Sequence, residues 1–382
     1  MALDHDSCEL LRAVARQPVQ CDGELINQLA TSICDWDRLI TAAQEHGVLS
    51  MLFLRLQNQR TSIPPAIFDR IRADYNRNVF HSVTNAAELI SVLKEFEENE
   101  IPAMPFKGVV LGASAYHDLA TRPAGDLDLL IFSRDLAHAT AILLRRGYVL
   151  TTEVEEDGSP AIQDYFEYHF ERESDGMVIE LRWRLELARR RFSRNLGMEW
   201  VWPRHGTTML AGAEVPDLDP VTALLVLCMH GSKHTWSRLI WVCDVARLLE
   251  AHSDLDWDRA MRESKRVGLW RTLALGTLLA HRIAKTPIDN TVRRKFESDS
   301  AANRLAIYIE QNIFDSPGST PTSRVPYHVE MLDLRDRVGL LFSLEFLIPN
   351  ERDRAAIALP KALEPLYFLI RPFRILLDRS AR

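Results

Sequence analysis

No stretch of this 382-residue chain approaches the roughly 20 consecutive apolar residues that a bilayer span requires. The longest apolar stretches, Val338–Phe342 and Leu366–Ile370, fall far short. The N-terminus, MALDHDSCELLRAVAR, has early acids and no apolar core of signal-peptide type. Cysteine is scarce. Cys8, Cys21, Cys34, Cys228 and Cys243 are odd in number and widely spaced, and no CxxC pair occurs. That pattern argues against a disulfide framework or a structural zinc site and fits reduced thiols in a cytoplasmic protein. An excess of positive charge is also missing. A formal net charge of −7 argues against general nucleic-acid binding, which leaves a basic footprint. It leaves room for a local basic pocket that takes a nucleotide.

The chain does have the composition of a globular protein, 47% hydrophobic and 26% charged. Its length exceeds one ordinary core and implies two or three structural units. Residues 1–100 read as helical. Ser7–Arg16 and Asp37–Leu56 carry apolar residues three and four apart. Pro64-Pro65 could open a helix running towards Arg77, with a further one over Thr84–Asn99. The period changes at Ile101. Ile101–Phe106 and Asp126–Phe132 fit strands, with a helix over Val109–Tyr116 between them. Ser133–Arg146 looks helical, with Ser133 a plausible N-cap and Gly147 placed to end it. Tyr148–Val154 is a candidate strand. Tyr165–Arg172 and Met177–Trp183 are strand-like runs joined through Asp175-Gly176, a hairpin signal. Helical spacing returns from Asp219 in Pro220–Gly231, Trp236–Ala251, Asp256–Val267 and Leu269–Ile283. Residues 315–327 read as a loop, and 328–382 as helices broken by prolines. The expected organisation is a helical region (1–100), an α/β core (101–215) and a C-terminal helical domain (216–382).

Chemistry concentrates in Gly125-Asp126-Leu127-Asp128-Leu129-Leu130. On a strand, residues two apart share a face. Asp126 and Asp128 then project together, while Leu127 and Leu129 turn towards the core. Two adjacent carboxylates repel unless something compensates, and a divalent cation is the usual compensation. Mg²⁺ takes hard oxygen ligands, often one or two carboxylates plus substrate phosphates. The bland alternative is a solvated strand end. Against it, Leu129–Phe132 is an apolar run that suits a buried strand. Glu180 lies within Val178-Ile179-Glu180-Leu181, where a buried, unpaired acid would be costly. It reads as a third ligand or as an outward-facing partner of Arg182 or Arg184. Phe106-Lys107-Gly108 has the form of a phosphate cradle, a strand followed by glycine and a helix start, with Lys107 adding charge. Arg122 could clamp a phosphate, hold the loop before Asp126, or serve as a surface arginine. His230 and His234, four apart, share a helix face. No HExxH pattern accompanies them, which argues against a zinc protease. Trp236 and Trp241 read as packing residues.

Phe106-Lys107-Gly108, Tyr116, Arg122 and Asp126-Leu127-Asp128-Leu129-Leu130 together resemble the signature of the bacterial uncharacterised nucleotidyltransferase family, within the polymerase-β-like superfamily. The likeness extends to Asp35-Trp36-Asp37-Arg38-Leu39 with Ala43 and His46-Gly47-Val48. It continues in His230-Gly231-Ser232-Lys233 with Trp236, Arg238-Leu239, Trp241 and Asp244, and covers roughly residues 30 to 250. It implies an α+β fold, a small mixed-sheet nucleotidyltransferase core flanked by helical regions. It also implies Mg²⁺-dependent transfer of an NMP from an NTP, with ATP the default donor, to an acceptor hydroxyl or similar nucleophile, releasing pyrophosphate. Asp126, Asp128 and Glu180 would be the catalytic carboxylates and the ligands of one or two Mg²⁺ ions. Lys107, Gly108, Arg122 and Lys233 would bind the nucleotide. Two departures stand out. Where the family usually has Asp, and His two residues later, this chain has Glu180 and Arg182. Around the glycine it has Lys107 and Val109 in place of the wider superfamily's Gly-Ser.

The departures motivate a second reading, a catalytically silent member acting as a binding or regulatory partner. The acceptor stays open among small molecules, sugars, peptides and proteins. Leu366–Leu377, with Arg371 and Arg374, could lie at a membrane surface, but docking on its own helical domain is the favoured reading.

Overall fold

The computed structural model describes residues 3–16, 23–58, 62–152, 166–185 and 196–315, together with Tyr327, Met331 and Tyr367. The expected helices of 328–382, and the membrane-surface reading of Leu366–Leu377, lie outside the described residues apart from Met331 and Tyr367. Among the described residues no helix is long and apolar enough to cross a membrane.

The chain opens with four short helices, α1 (His5–Ala15), α2 (Gly23–Ser32), α3 (Trp36–Glu45) and α4 (Leu49–Leu56), and a long one, α5 (Pro65–Glu98). Asp4 and Asp35 cap α1 and α3 by accepting from the backbone N–H three residues on. Where the apolar spacing predicts two helices between Pro65 and Asn99, α5 runs unbroken for 34 residues. Its middle exposes Phe80 and Val83, so the apolar stripe lapses there. No glycine or proline interrupts the backbone ladder, and the helix continues.

Next come β1 (Ala103–Pro105), α6 (Gly108–Ser114), β2 (Leu127–Ile131), α7 (Leu136–Arg145), β3 (Val149–Leu150), β4 (Glu167–Arg172) and β5 (Met177–Arg182). The strands form one mixed sheet in the order β1-β2-β5-β4-β3. β2 and β5 run parallel, and the other pairs antiparallel. Ser133 does not cap α7. It opens a single 3-10 turn whose ends carry no side-chain cap. Gly147 and Gly176 adopt the left-handed angles expected of a helix end and a hairpin turn.

A short helix, α8 (Met198–Val201), leads to a two-stranded hairpin of β6 (His205–Leu210) and β7 (Ala213–Leu218). Among the described residues six helices follow: α9 (Pro220–Lys233), α10 (Leu239–Ala251), α11 (Trp257–Arg266), α12 (Trp270–Ile283), α13 (Asn290–Glu297) and α14 (Ser300–Asn312). Asp219 caps α9, and Pro220 occupies its first turn.

Strand alternation divides the five-stranded sheet into two faces. Leu127, Leu129, Ile131, Phe170, Ile179 and Leu181 pack beneath α5 and α7 in one apolar cluster. Leu130, with Met104 and Phe106, belongs to a second cluster that joins α1–α4 to α9–α14. The N- and C-terminal helical regions therefore share one core and meet on the side of the sheet that bears Asp128.

Candidate active site

The site begins where β1 ends. The Phe106 N–H donates to the Asp128 carbonyl at 3.2 Å. Lys107 follows at φ 61° and ψ −148°, a region essentially reserved for glycine. Gly108 continues at φ 48° and opens α6. A Cβ on Gly108 would meet the Asp126 carbonyl oxygen at 3.6 Å, an ordinary contact. Its backbone angle, more than crowding, is what calls for glycine. This turn aims Lys107 at the strand, with Nζ 2.9 Å from Asp128 Oδ1 and both side chains nearly buried.

Register assembles the acids. Asp128 on β2 stands directly opposite Glu180 on β5, and Glu180 opposite His169 on β4. In the next row, Leu130 faces Arg182, and Arg182 faces Glu167. Period two puts Asp128, Glu180, Arg182, Glu167 and His169 on one face. Asp126 sits just ahead of β2, half-buried. Arg182 touches Glu167 and Glu180, and its Nε lies 3.7 Å from Asp128 Oδ1. His169 Nε2 is 3.3 Å from Glu167, and its Nδ1 is 3.9 Å from Glu180.

The carboxyls differ in their protonation. Burial would push Asp128 up, but Lys107 and Arg182 outweigh it and hold the group below the ordinary carboxylate range. Asp126 is raised, by burial and then by the charge of Asp128. Glu180 is pushed up to about 7 by burial and by Asp128 and Asp126. The Arg182 guanidinium beside it is shared among three acids. Glu180 thus contacts Arg182, as one of its sequence readings has it, and stands beside Asp128 in the acid cluster.

Two of the three carboxyls are under-compensated, a deficit that a divalent cation would relieve. Their hard oxygens are the donors Mg²⁺ prefers, so the donor set fits that ion. Among the described residues, no three His, Cys, Asp or Glu side chains already close around one point. Lys107 and Arg182 lie between the acids, and substrate phosphates would have to complete any coordination.

Lys233 stands in the last turn of α9. It lines a narrow cleft with Phe106, Lys107, Arg182, Leu185 and His230. Burial and then the nearby Arg182 lower its pKa. Burial and then Lys107 hold His230 well below its usual value, and His230 stays neutral. Lys107 and Lys233 therefore meet in one cleft beside the carboxylates. Arg122 is placed differently. Its Nε and Nη2 each donate to Asp244 on α10 at 2.9 Å, and Tyr116 Oη donates to the same carboxylate at 2.8 Å. Both partners of the pair are nearly fully buried. Arg122 secures the loop that leads into Asp126.

Trp236 is fully buried against Gly231 and Gly276, and Trp241 stacks on His234 with centroids 5.0 Å apart. Cys8, Cys34, Cys228 and Cys243 are free thiols. A larger cavity of about 560 Å³ lies behind Tyr116, lined by Met51, Leu54, Arg55, Arg247 and Glu250. Its Arg247 already bonds Glu250 and the carbonyls of Ala15 and Arg16. The carboxylates lie elsewhere.

Sequence reasoning passed over Glu167, His169 and Asp244 as members of these networks. A signal for the first two was present. Arg172 pairs with Met177 across the hairpin, and counting outward from that turn brings His169 opposite Glu180 and Glu167 opposite Arg182.

No curated protein matches the chain. A family model described as "Uncharacterised nucleotidyltransferase" matches residues 33–285, a span that takes in α3 to α12 and every residue of the acidic face. The chain therefore belongs to the uncharacterised nucleotidyltransferase family.

Proposed function

We propose that this transferase moves an NMP, with ATP the default donor, to an acceptor nucleophile and releases pyrophosphate. The observation that carries the reading is the register that sets Asp128 opposite Glu180, with Asp126 just ahead of the same strand. Asp126, Asp128 and Glu180 would hold Mg²⁺, which supplies charge stabilisation to the phosphates when bound. The chain's own groups do the rest. Lys107 and Lys233 neutralise phosphate charge in the cleft they share. Gly108 lets the backbone turn above the Asp126 carbonyl. Glu180, opposite Asp128 on the same face, can assist deprotonation of the acceptor. Arg122 acts through its hold on the loop. Positioning and electrostatics supply most of the rate in such phosphoryl transfers.

The test is incubation with labelled NTPs, Mg²⁺ and a host metabolite extract. Asp126→Ala/Asp128→Ala should lower label transfer at least ~100-fold. Transfer that survives the double substitution would sink the site. Arg182, seated among the acids, favours a second reading, binding without turnover. Mg²⁺-dependent stabilisation by NTPs with no label transfer in any extract would select it.

A further inference from the structure

The acidic face carries more charge than its aspartate motif. Among the described residues, Asp126, Asp128, Glu180 and Glu167 supply four carboxylates, and Lys107 and Arg182 are the cations in direct ion pairs with this cluster, Arg122 being already paired with Asp244. Arg182 holds its place for structural reasons. It lies two residues after Glu180 on β5 and so shares its face. Glu167 stands directly across from it on β4. The guanidinium contacts Glu167 and Glu180 while its Nε approaches Asp128. A planar fork with five donors can serve several carboxylates at once, where an ammonium acts as a point charge. Glu167, 8% exposed at its side chain, is turned to Arg182 and anchors it from the outer side.

Four ionised carboxylates against these two cations leave two negative charges, and one divalent ion neutralises them. A second ion would meet a cluster already neutral and would leave it net positive. It would also have to displace a guanidinium that is 13% exposed and held by two glutamates.

The geometry points to Arg182 as a built-in cation standing in for a second metal: the site takes one divalent ion, among Asp126, Asp128 and Glu180. This rests on those carboxylates being the metal ligands, as proposed above. Arg182 also lines the cleft with Lys107 and Lys233, so its charge bears on phosphate entering there. The role is positional and electrostatic, and metal stoichiometry reads it without any turnover.

The experiment counts Mn²⁺ bound per full-length chain by the EPR signal of the free ion, titrated to saturation with Mn²⁺ alone and with a non-hydrolysable ATP analogue added, the ion held by unbound analogue being subtracted from a matched protein-free titration. The wild-type protein should bind one ion at most in either titration, and at least one of them should show it. Arg182→Lys keeps the charge and should also bind one. Arg182→Met should bind two, and Mn²⁺ should raise its melting temperature more than that of the wild type. Two ions in the wild type, or in Arg182→Lys, would overturn this inference and leave the carboxylate site intact. A folded Arg182→Met that still binds one ion would overturn it equally. No bound Mn²⁺ in any titration would overturn both this inference and the metal site beneath it. Should Arg182→Met fail to fold, the wild-type and Arg182→Lys counts decide.

Discussion

Lys107 occupies backbone angles that a side chain strongly disfavours, φ 61° and ψ −148°. Such an outlier typically costs about 1–3 kcal/mol. Here it accompanies a gain, because the turn delivers an ammonium to the nearly buried Asp128. Lys107→Ala and Lys107→Gly both remove the amine and differ in the Cβ. Lys107→Gly should unfold at higher urea than Lys107→Ala, by about 1–3 kcal/mol, although glycine ordinarily loses more entropy on folding. A less stable glycine variant would show that the turn stores no strain. Both variants should bind NTP more weakly than the parent, since neither can neutralise phosphate. Sequence alone pointed to Lys107 through its place before a glycine. The backbone angle and the Asp128 partner were out of reach, because both depend on how β1 docks against β2.

Elements differed in how openly the sequence announced them. Asp126–Phe132 alternates acid and leucine before an apolar run, and Asp175-Gly176 marks a turn, so β2 and the β4–β5 hairpin were legible. The β6–β7 hairpin was not. Pro216 lies inside β7, His205 to Thr207 are exposed or carry little apolar surface, and the turn at Ala211 and Gly212 lacks the Asn-Gly or Asp-Gly form. α9 was plain from Asp219-Pro220 onward, but its closeness to its neighbours was hidden in one residue. A Cβ on Gly231 would lie 2.5–2.6 Å from three atoms of the Trp236 ring. That ring is fully buried and cannot swing away. Gly231→Ala should therefore destabilise the protein by about 1–3 kcal/mol through overpacking, even though alanine favours a helix by about 1 kcal/mol over glycine. Thermal or urea unfolding measures this, and a stabilised variant would contradict the packing account. His230 and Lys233 share the same stretch of α9, so the repacking should also weaken nucleotide binding.

At the scale of the whole molecule, the sheet and the C-terminal helices are joined by a buried ion pair. Arg122 precedes β2, Asp244 lies on α10, and Tyr116 completes the triad. Asp244→Ala leaves the Arg122 guanidinium buried without its counter-charge, which typically costs about 3–5 kcal/mol. Arg122→Met/Asp244→Ala should recover much of that loss, as removing both charges usually does. Urea unfolding of the single and double variants checks the pair. A single-variant loss below about 1 kcal/mol would mean that the pair behaves as a surface salt bridge. Sequence placed Arg122 near the site because it stands four residues before Asp126. It could not name the partner, since an ion pair between residues 122 positions apart leaves no local pattern.

That separation has a consequence in time. A chain grows from its N-terminus at about 5–20 residues per second. The segment bearing Asp126 and Asp128 is synthesised on the order of ten seconds before the carboxylate that secures its leading loop. Until α10 has been made, Arg122 has no Asp244 to meet, and the loop before Asp126 belongs to an unfinished half-molecule. Maturation of the acidic face is thus tied to completion of the helical region that shares its core. A ribosome stalled before residue 244 would carry every proposed metal ligand and still lack the clamp that sets two of them in place.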